Sequence, residues 1–272
     1  GFDQLLRLLL GRGKTLHMFG PKGFLMNLKG KLQAYTWNLV HNYDEGLTIT
    51  ATEIGPRRCK TQTFDCQKGF LPSAPMVTSA CPAFVLEEPQ FKVQATILDH
   101  QIPSLAFALQ ERFHINILKP RLEDLGLEVG PWVGQFKQLV FQKADPATEI
   151  EVLQKGQDNS TSAYALGELA EKIVRITPGQ KIAYVVDAVY NDENEAKILA
   201  LANGADHLFI EAAFLDQDRG IAKEKYHLTA HQAGTLARKA RVREMSVFHH
   251  SPRYMDQGHL LKEEAESAFR GG

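Results

Sequence analysis

The chain has 272 residues, 44% of them apolar, and a formal net charge of -1. That suffices for the buried core of one large α/β domain or two smaller ones. It excludes a helical membrane span, since no window reaches the ~18 uninterrupted apolar residues that a span needs. Asp3, Arg7 and Arg12 break the apolar run of the opening "GFDQLLRLLLGRGK", which is therefore neither a span nor a signal peptide.

In chain order, "LLRLLLGRGK" has helical spacing and stops at Gly11 and Gly13, and "KTLHMFGPKGF" is a short strand ended by Gly20-Pro21. "GFLMNLKGKLQAYTWNLV" is expected to be a helix, and "GLTITATEI" alternates as a strand does. "FKVQATILDH" alternates as well, and "LAFALQ" follows a turn expected at Pro103. From Phe113 to Gly156, Pro120, Gly126, Gly130, Pro131, Gly134 and Pro146 are scattered among apolar residues, which suits a projecting or loosely packed insertion better than a core layer. "SAYALGELAEKIV" is weakly patterned. A regular alternation follows: "KIAYVVDAVY" as a buried strand, "ENEAKILALANG" as a helix, and "ADHLFIEAAF" as a second buried strand. "TAHQAGTLARKA" is a helix opened by Thr229 and Gln232 at capping-box spacing, "EMSVFHH" is a third strand, and "LLKEEAESAF" a closing helix. No repeat or composition break divides the chain, so one domain spanning 1–272 with an inserted arm at 113–156 is expected.

Cys59, Cys66 and Cys81 form neither a disulfide framework nor the close pairing of a zinc knuckle, which points to a reducing, cytoplasmic setting. Charge is unevenly placed. Residues 219–253 carry eight basic side chains against Glu224 and Glu244, and residues 1–31 carry six against Asp3. These runs either face an anionic ligand or are solvated helix faces.

Three apolar strands end on side chains able to hold a metal: Asp99-His100 after "FKVQATIL", Asp187 after "KIAYVV" and His249 after "EMSVF". Ligands of layered α/β folds bind at strand ends, where side chains leave the packed interior on fixed backbone. Two imidazoles and a carboxylate suit zinc or a similar ion. The alternatives remain helix-capping acids and hydrogen-bonded core histidines. In "VFHHSPRY" strand alternation lets only one of His249 and His250 face a given pocket.

"DHQIPSLAFALQE", "LGLEVGPWVGQFK", "YVVDAVYNDEN", "ADHLFIEAAFLD", "KYHLTAHQAGTLARKA" and "VFHHSPRYMD", in this order, resemble the ribonuclease Z branch of the metallo-β-lactamase-fold hydrolases. The resemblance covers most of the chain and is strongest from Lys181 to Asp256. It implies an α/β fold of the αββα-sandwich type carrying two zinc ions, and cleavage of precursor tRNA at its 3′ side by a zinc-activated water. It implies His100 as a terminal zinc ligand, Asp187 as the residue bridging the metals, and His249, not His250, as ligand to the other zinc. His227 would assist proton transfer to the leaving oxygen. The segment 113–156, with its "GPW", matches the region that forms the family's tRNA-gripping arm. A homodimer is implied as well.

Glu211 is a candidate to orient a ligand histidine, or else a helix-capping acid. Arg253 is a candidate phosphate contact, or else pairs with an acid such as Glu211. Trp132 either stacks on a base or anchors its loop.

Three features depart from the family. The His-x-His-x-Asp-His motif, which would end just before Gly1, is absent, so the sandwich is expected to be N-terminally incomplete. The His-Glu-Ala-Thr element is changed to Ile210-Glu211-Ala212-Ala213. The arm with Glu111 and Arg112 holds six basic and seven acidic residues, a weak basis for gripping tRNA by phosphate neutralisation. With about two protein ligands per zinc, weak zinc binding and little cleavage are expected of this chain. Two other readings stand beside this one: the same fold acting on a small phosphodiester, and a metal-free binding module.

Overall fold

The computed structural model describes residues 1–78, 81–156 and 160–271. Two compact units emerge, one from residues 1–85, 94–108 and 183–272, the other from 86–93 and 109–182.

The first unit begins with α1 (Phe2–Leu9), β1 (Thr15–Pro21) and α2 (Phe24–Gln33). Leucines at helical spacing, Leu6 on α1 and Leu25, Leu28 and Leu32 on α2, are buried with Ile49, Ala51 and Phe64. The helix α2 stops well short of Val40, because Trp37 Nε1 donates to Leu32 O at 2.8 Å and satisfies a terminal carbonyl. β2 (Thr48–Ile54) pairs parallel with β1, and β3 (Cys59–Asp65) and β4 (Met76–Thr78) complete a four-stranded sheet in the order β1-β2-β3-β4. Strand β3 carried no expectation: "CKTQTFD" is too polar to stand out as a strand. Cys59 and Cys81 form a disulfide, while Cys66 is buried and free. Cysteine spacing pointed to no bridge, because the fold and not the sequence brings this pair together.

β5 (Leu86–Glu87), β6 (Phe91–His100) and β7 (Ile102–Glu111) follow. Pro103 lies inside β7, at its second position; the reversal is made by Gln101, at φ 63°. In the first unit, Phe19, Ile54 and Cys59 of one sheet pack with Ala95, Ile97, Leu105 and Phe107 of the other.

The second unit holds β8 (Phe113–Ile117), α3 (Lys119–Asp124), α4 (Trp132–Phe141), β9 (Glu149–Leu153), β10 (Thr161–Ala165), α5 (Leu166–Ile173) and β11 (Val174–Pro178). β9 pairs with β10 and β8 with β11, both antiparallel. Residues 113–156 fall inside this unit, where Leu122, Phe136, Ile150 and Val152 share a core with Leu169 and Ile173 of α5 rather than packing loosely. Trp132 is buried there and donates from Nε1 to Glu128 O at 2.9 Å, as a loop anchor does.

The chain closes with β12 (Lys181–Val185), α6 (Asp192–Ala202), β13 (His207–Glu211), α7 (Arg219–Glu224), α8 (Ala230–Lys239), β14 (Glu244–Phe248) and α9 (Gly258–Arg270). The six-stranded sheet runs β14-β13-β12-β7-β6-β5. Ala183, Val185, Leu208 and Ile210 point to the face covered by α6, α8 and α9, where they pack with Ile198, Leu236 and Leu261. The expected capping box opens α8: Thr229 Oγ1 accepts from Gln232 N, and Gln232 Oε1 accepts from Thr229 N. Gly234 lets α8 lie directly on α9, for a Cβ there would stand 2.1 Å from Ala265 O. Helices, sheet, sheet and helices thus form αββα layers in the first unit.

Candidate metal centre

The parallel register of β13 and β14 sets Glu211 opposite Phe248, one residue before His249. Asp187 comes two residues after β12, and His100 is the last residue of β6. Left-handed backbone marks each approach: Asp187 at φ 54°, His249 at 60°, Tyr226 at 61° and Gln101 at 63°. Asp and His tolerate this region better than most residues, whereas a bulky Tyr there is held by its surroundings. Local preference does not select these turns, so they were not legible in the sequence.

Glu211 is fully buried. Its Oε1 accepts from the amides of Ala188 at 2.9 Å and Leu228 at 3.3 Å. Its Oε2 stands 2.7 Å from His227 Nδ1 and 3.2 Å from His249 Nδ1. Burial pushes this carboxyl up, but hydrogen bonds from His227, His249 and the Ala188 amide outweigh it and hold Glu211 below the usual carboxylate range. The bond to Glu211 in turn lifts His249 above an ordinary imidazole, against its own desolvation. A carboxylate can only accept, so both rings present N–H at Nδ1 and keep Nε2 for another partner. His100 follows the same rule, with Nδ1 2.7 Å from Tyr226 O.

Asp187 Oδ1 is 3.5 Å from His249 Nδ1. Asp187, Glu211, His227 and His249 each bring one ligand atom within 4.8 Å of the others. The His100 ring lies tilted at 54° beside that of His227, with 4.7 Å between ring centroids. The set therefore fits a divalent ion chemically: imidazoles with Nε2 available, a partly exposed carboxylate, and a buried carboxylate behind the rings. The expected ligands His100, Asp187 and His249, even with His227 added, do not give three protein ligands to each of two ions.

His250 turns from the cluster to Ala212 O at 3.0 Å. Arg253 is not brought to Glu211 or to the histidines; its Nε pairs with Asp218 at 3.3 Å. Sequence reasoning missed Asn194. This buried amide accepts from Asp99 N at 2.9 Å and donates to Asp99 O and Val189 O, both at 2.8 Å, tying the end of β6 to the segment after Asp187. Its only signal is an Asn in the first turn of a helix, where a solvated side chain is equally usual.

No family model matches the chain. Ribonuclease Z of Deinococcus radiodurans is 27% identical to it over 257 residues, 94% of this chain and 73% of that protein. Ribonuclease Z of Porphyromonas gingivalis strain W83 is 26% identical over 262 residues, 96% of this chain and 69% of that protein. The crystal structure of human tRNase Z, short form, overlays on 94% of this chain and 68% of its own with a TM-score of 0.47 at 15% identity. These curated relatives match nearly the whole of this sequence: the chain is similar along its length to the ribonuclease Z branch of the metallo-β-lactamase-fold hydrolases.

Proposed function

We propose that the chain belongs to a metal-dependent phosphodiester hydrolase that cleaves precursor tRNA endonucleolytically at its 3′ side. The observation that carries this reading is the meeting of Asp187, His227 and His249 around the buried Glu211. His100, Asp187 and His249 would hold zinc, the metal the donor set favours. A zinc bound there supplies positive charge for the phosphoryl oxygens and acidifies a water. The chain's own groups do the rest. Glu211 fixes the rings of His227 and His249, and His227, with Nδ1 held, moves a proton at Nε2 to the departing oxygen. Arg253 would reach a phosphate on leaving Asp218. The arm at 113–156 would be the tRNA exosite, the protein would act in the cytoplasm, and it would assemble as a homodimer. Among the described residues no helix is long and apolar enough to cross a membrane.

The test is cleavage of a precursor tRNA beside a chromogenic phosphodiester, with zinc added and in the Asp187→Asn variant. Slow, zinc-stimulated cleavage at the 3′ side of the tRNA, lost on Asp187→Asn, is expected. Hydrolysis of the small ester alone would replace the substrate, a reading that the near-neutral arm favours. Activity on neither, at any zinc concentration, would leave a binding module.

A further inference from the structure

His227 lines two hollows of the first unit. One, shared with His249, His250 and Ser251, is the mouth of the metal centre. The other is a cavity of about 350 Å³, lined also by Arg219, Lys223, His231, Gln232 and Thr235. Among the described residues no carboxylate lines it. That volume is at the lower end of small-molecule sites, roughly 300–1,000 Å³. Its chemistry is that of donors. Asp216 grips the Arg219 guanidinium through Nε and Nη2 at 2.9–3.1 Å, which orients it and leaves Nη1 as the remaining donor. The oxygen of Gln232 is taken by the Thr229 amide, so its N–H groups remain for a ligand. Lys223 adds a second cation. The adjoining hollow, which Asp99 and Glu224 line, is of mixed charge and does not compete for an anion. Both cations come from the basic run at 219–253, for which the metal centre itself has no use.

We propose that this cavity is a second binding site, taking a phosphate-bearing nucleotide. Resting on the function proposed above, it receives the nucleotide next to the scissile bond on the side of the departing oxygen, because the group that protonates that oxygen forms its wall. Tyr190, another lining residue whose hydroxyl is held by Glu195 at 2.8 Å, offers a flat face to the base.

Calorimetric binding of adenosine 5′-monophosphate, inorganic phosphate and adenosine to the chelator-treated chain tests the proposal without any turnover. The monophosphate is expected to bind, phosphate more weakly and adenosine hardly at all. Arg219→Ala and Lys223→Ala, both at exposed positions, should each weaken the monophosphate about tenfold, as loss of a charged hydrogen bond does. Asp187→Asn should leave it unchanged. Adenosine binding as well as its monophosphate, or affinity unaffected in the Arg219→Ala/Lys223→Ala double variant with an unchanged melting temperature, would overturn the site. Cavity-dependent nucleotide binding in a chain that cleaves no phosphodiester would uphold the site and sink the function reading. Cleavage with no cavity-dependent binding would do the reverse.

Discussion

A carboxylate without solvent exposure stays ionised only where donors surround it, and Glu211 has four: two amides and two imidazole N–H groups. Glu211→Gln puts an N–H₂ among those donors and should cost about 1–3 kcal/mol in denaturant unfolding. In the same variant His249 should titrate closer to an ordinary imidazole, which an NMR titration of its ring reads. The pH window follows from the two shifts. The lowered Glu211 contributes stability above the ordinary carboxylate range of about 4.3 and loses it as pH falls through its depressed value. The raised His249 contributes below about 6.5 and loses its share as pH rises through its elevated value. The advantage of wild type over Glu211→Gln should therefore be greatest between those two ranges. Gln101 offers a test of the left-handed turns, being exposed at φ 63°. Gln101→Gly should raise stability by a few tenths to about 1 kcal/mol, and Gln101→Val should lower it, both read as shifts in thermal midpoint.

At the scale of elements, patterned strands and helices were legible and polar or short ones were not. Residues 181–185, 207–211 and 244–248 announce themselves as apolar runs before helices, and Thr229 with Gln232 marks the start of α8. "CKTQTFD" forms β3 only because β2 and β4 flank it and supply its hydrogen bonds. The insertion's prolines and glycines conceal a packed core, because turn residues say where the chain bends and not what the segments between them bury. One tie between elements is testable. Lys239 on α8 and Tyr190 both bond to Glu195 on α6, with Lys239 the larger influence holding its carboxyl low. Glu195→Gln should cost about 0.2–1 kcal/mol, as partly exposed pairs do. That deficit should be present above the ordinary carboxylate range and shrink as pH falls through the depressed value of Glu195, as thermal unfolding across acid pH would record.

For the whole molecule, the donor count governs what the chain does with metal. Three protein ligands are normal for a catalytic zinc, and the two-ion site implied by the family would have to share His100, Asp187 and His249. The 272-residue polypeptide is accordingly expected to take up zinc weakly and substoichiometrically in equilibrium dialysis. Tight binding of two ions would show that another donor joins the set. Sequence alone determined the layered α/β class and the strand ends that carry His100, Asp187 and His249, because burial period and strand termini are local properties of a chain. It also carried the resemblance to ribonuclease Z. Only the tertiary structure decided which side chains meet. Glu211, His227 and His249 lie far apart in sequence and share one carboxylate, Arg253 turns to Asp218, and Cys59 finds Cys81. Such meetings depend on strand register and on left-handed turns held by the whole fold, which no short stretch of residues encodes.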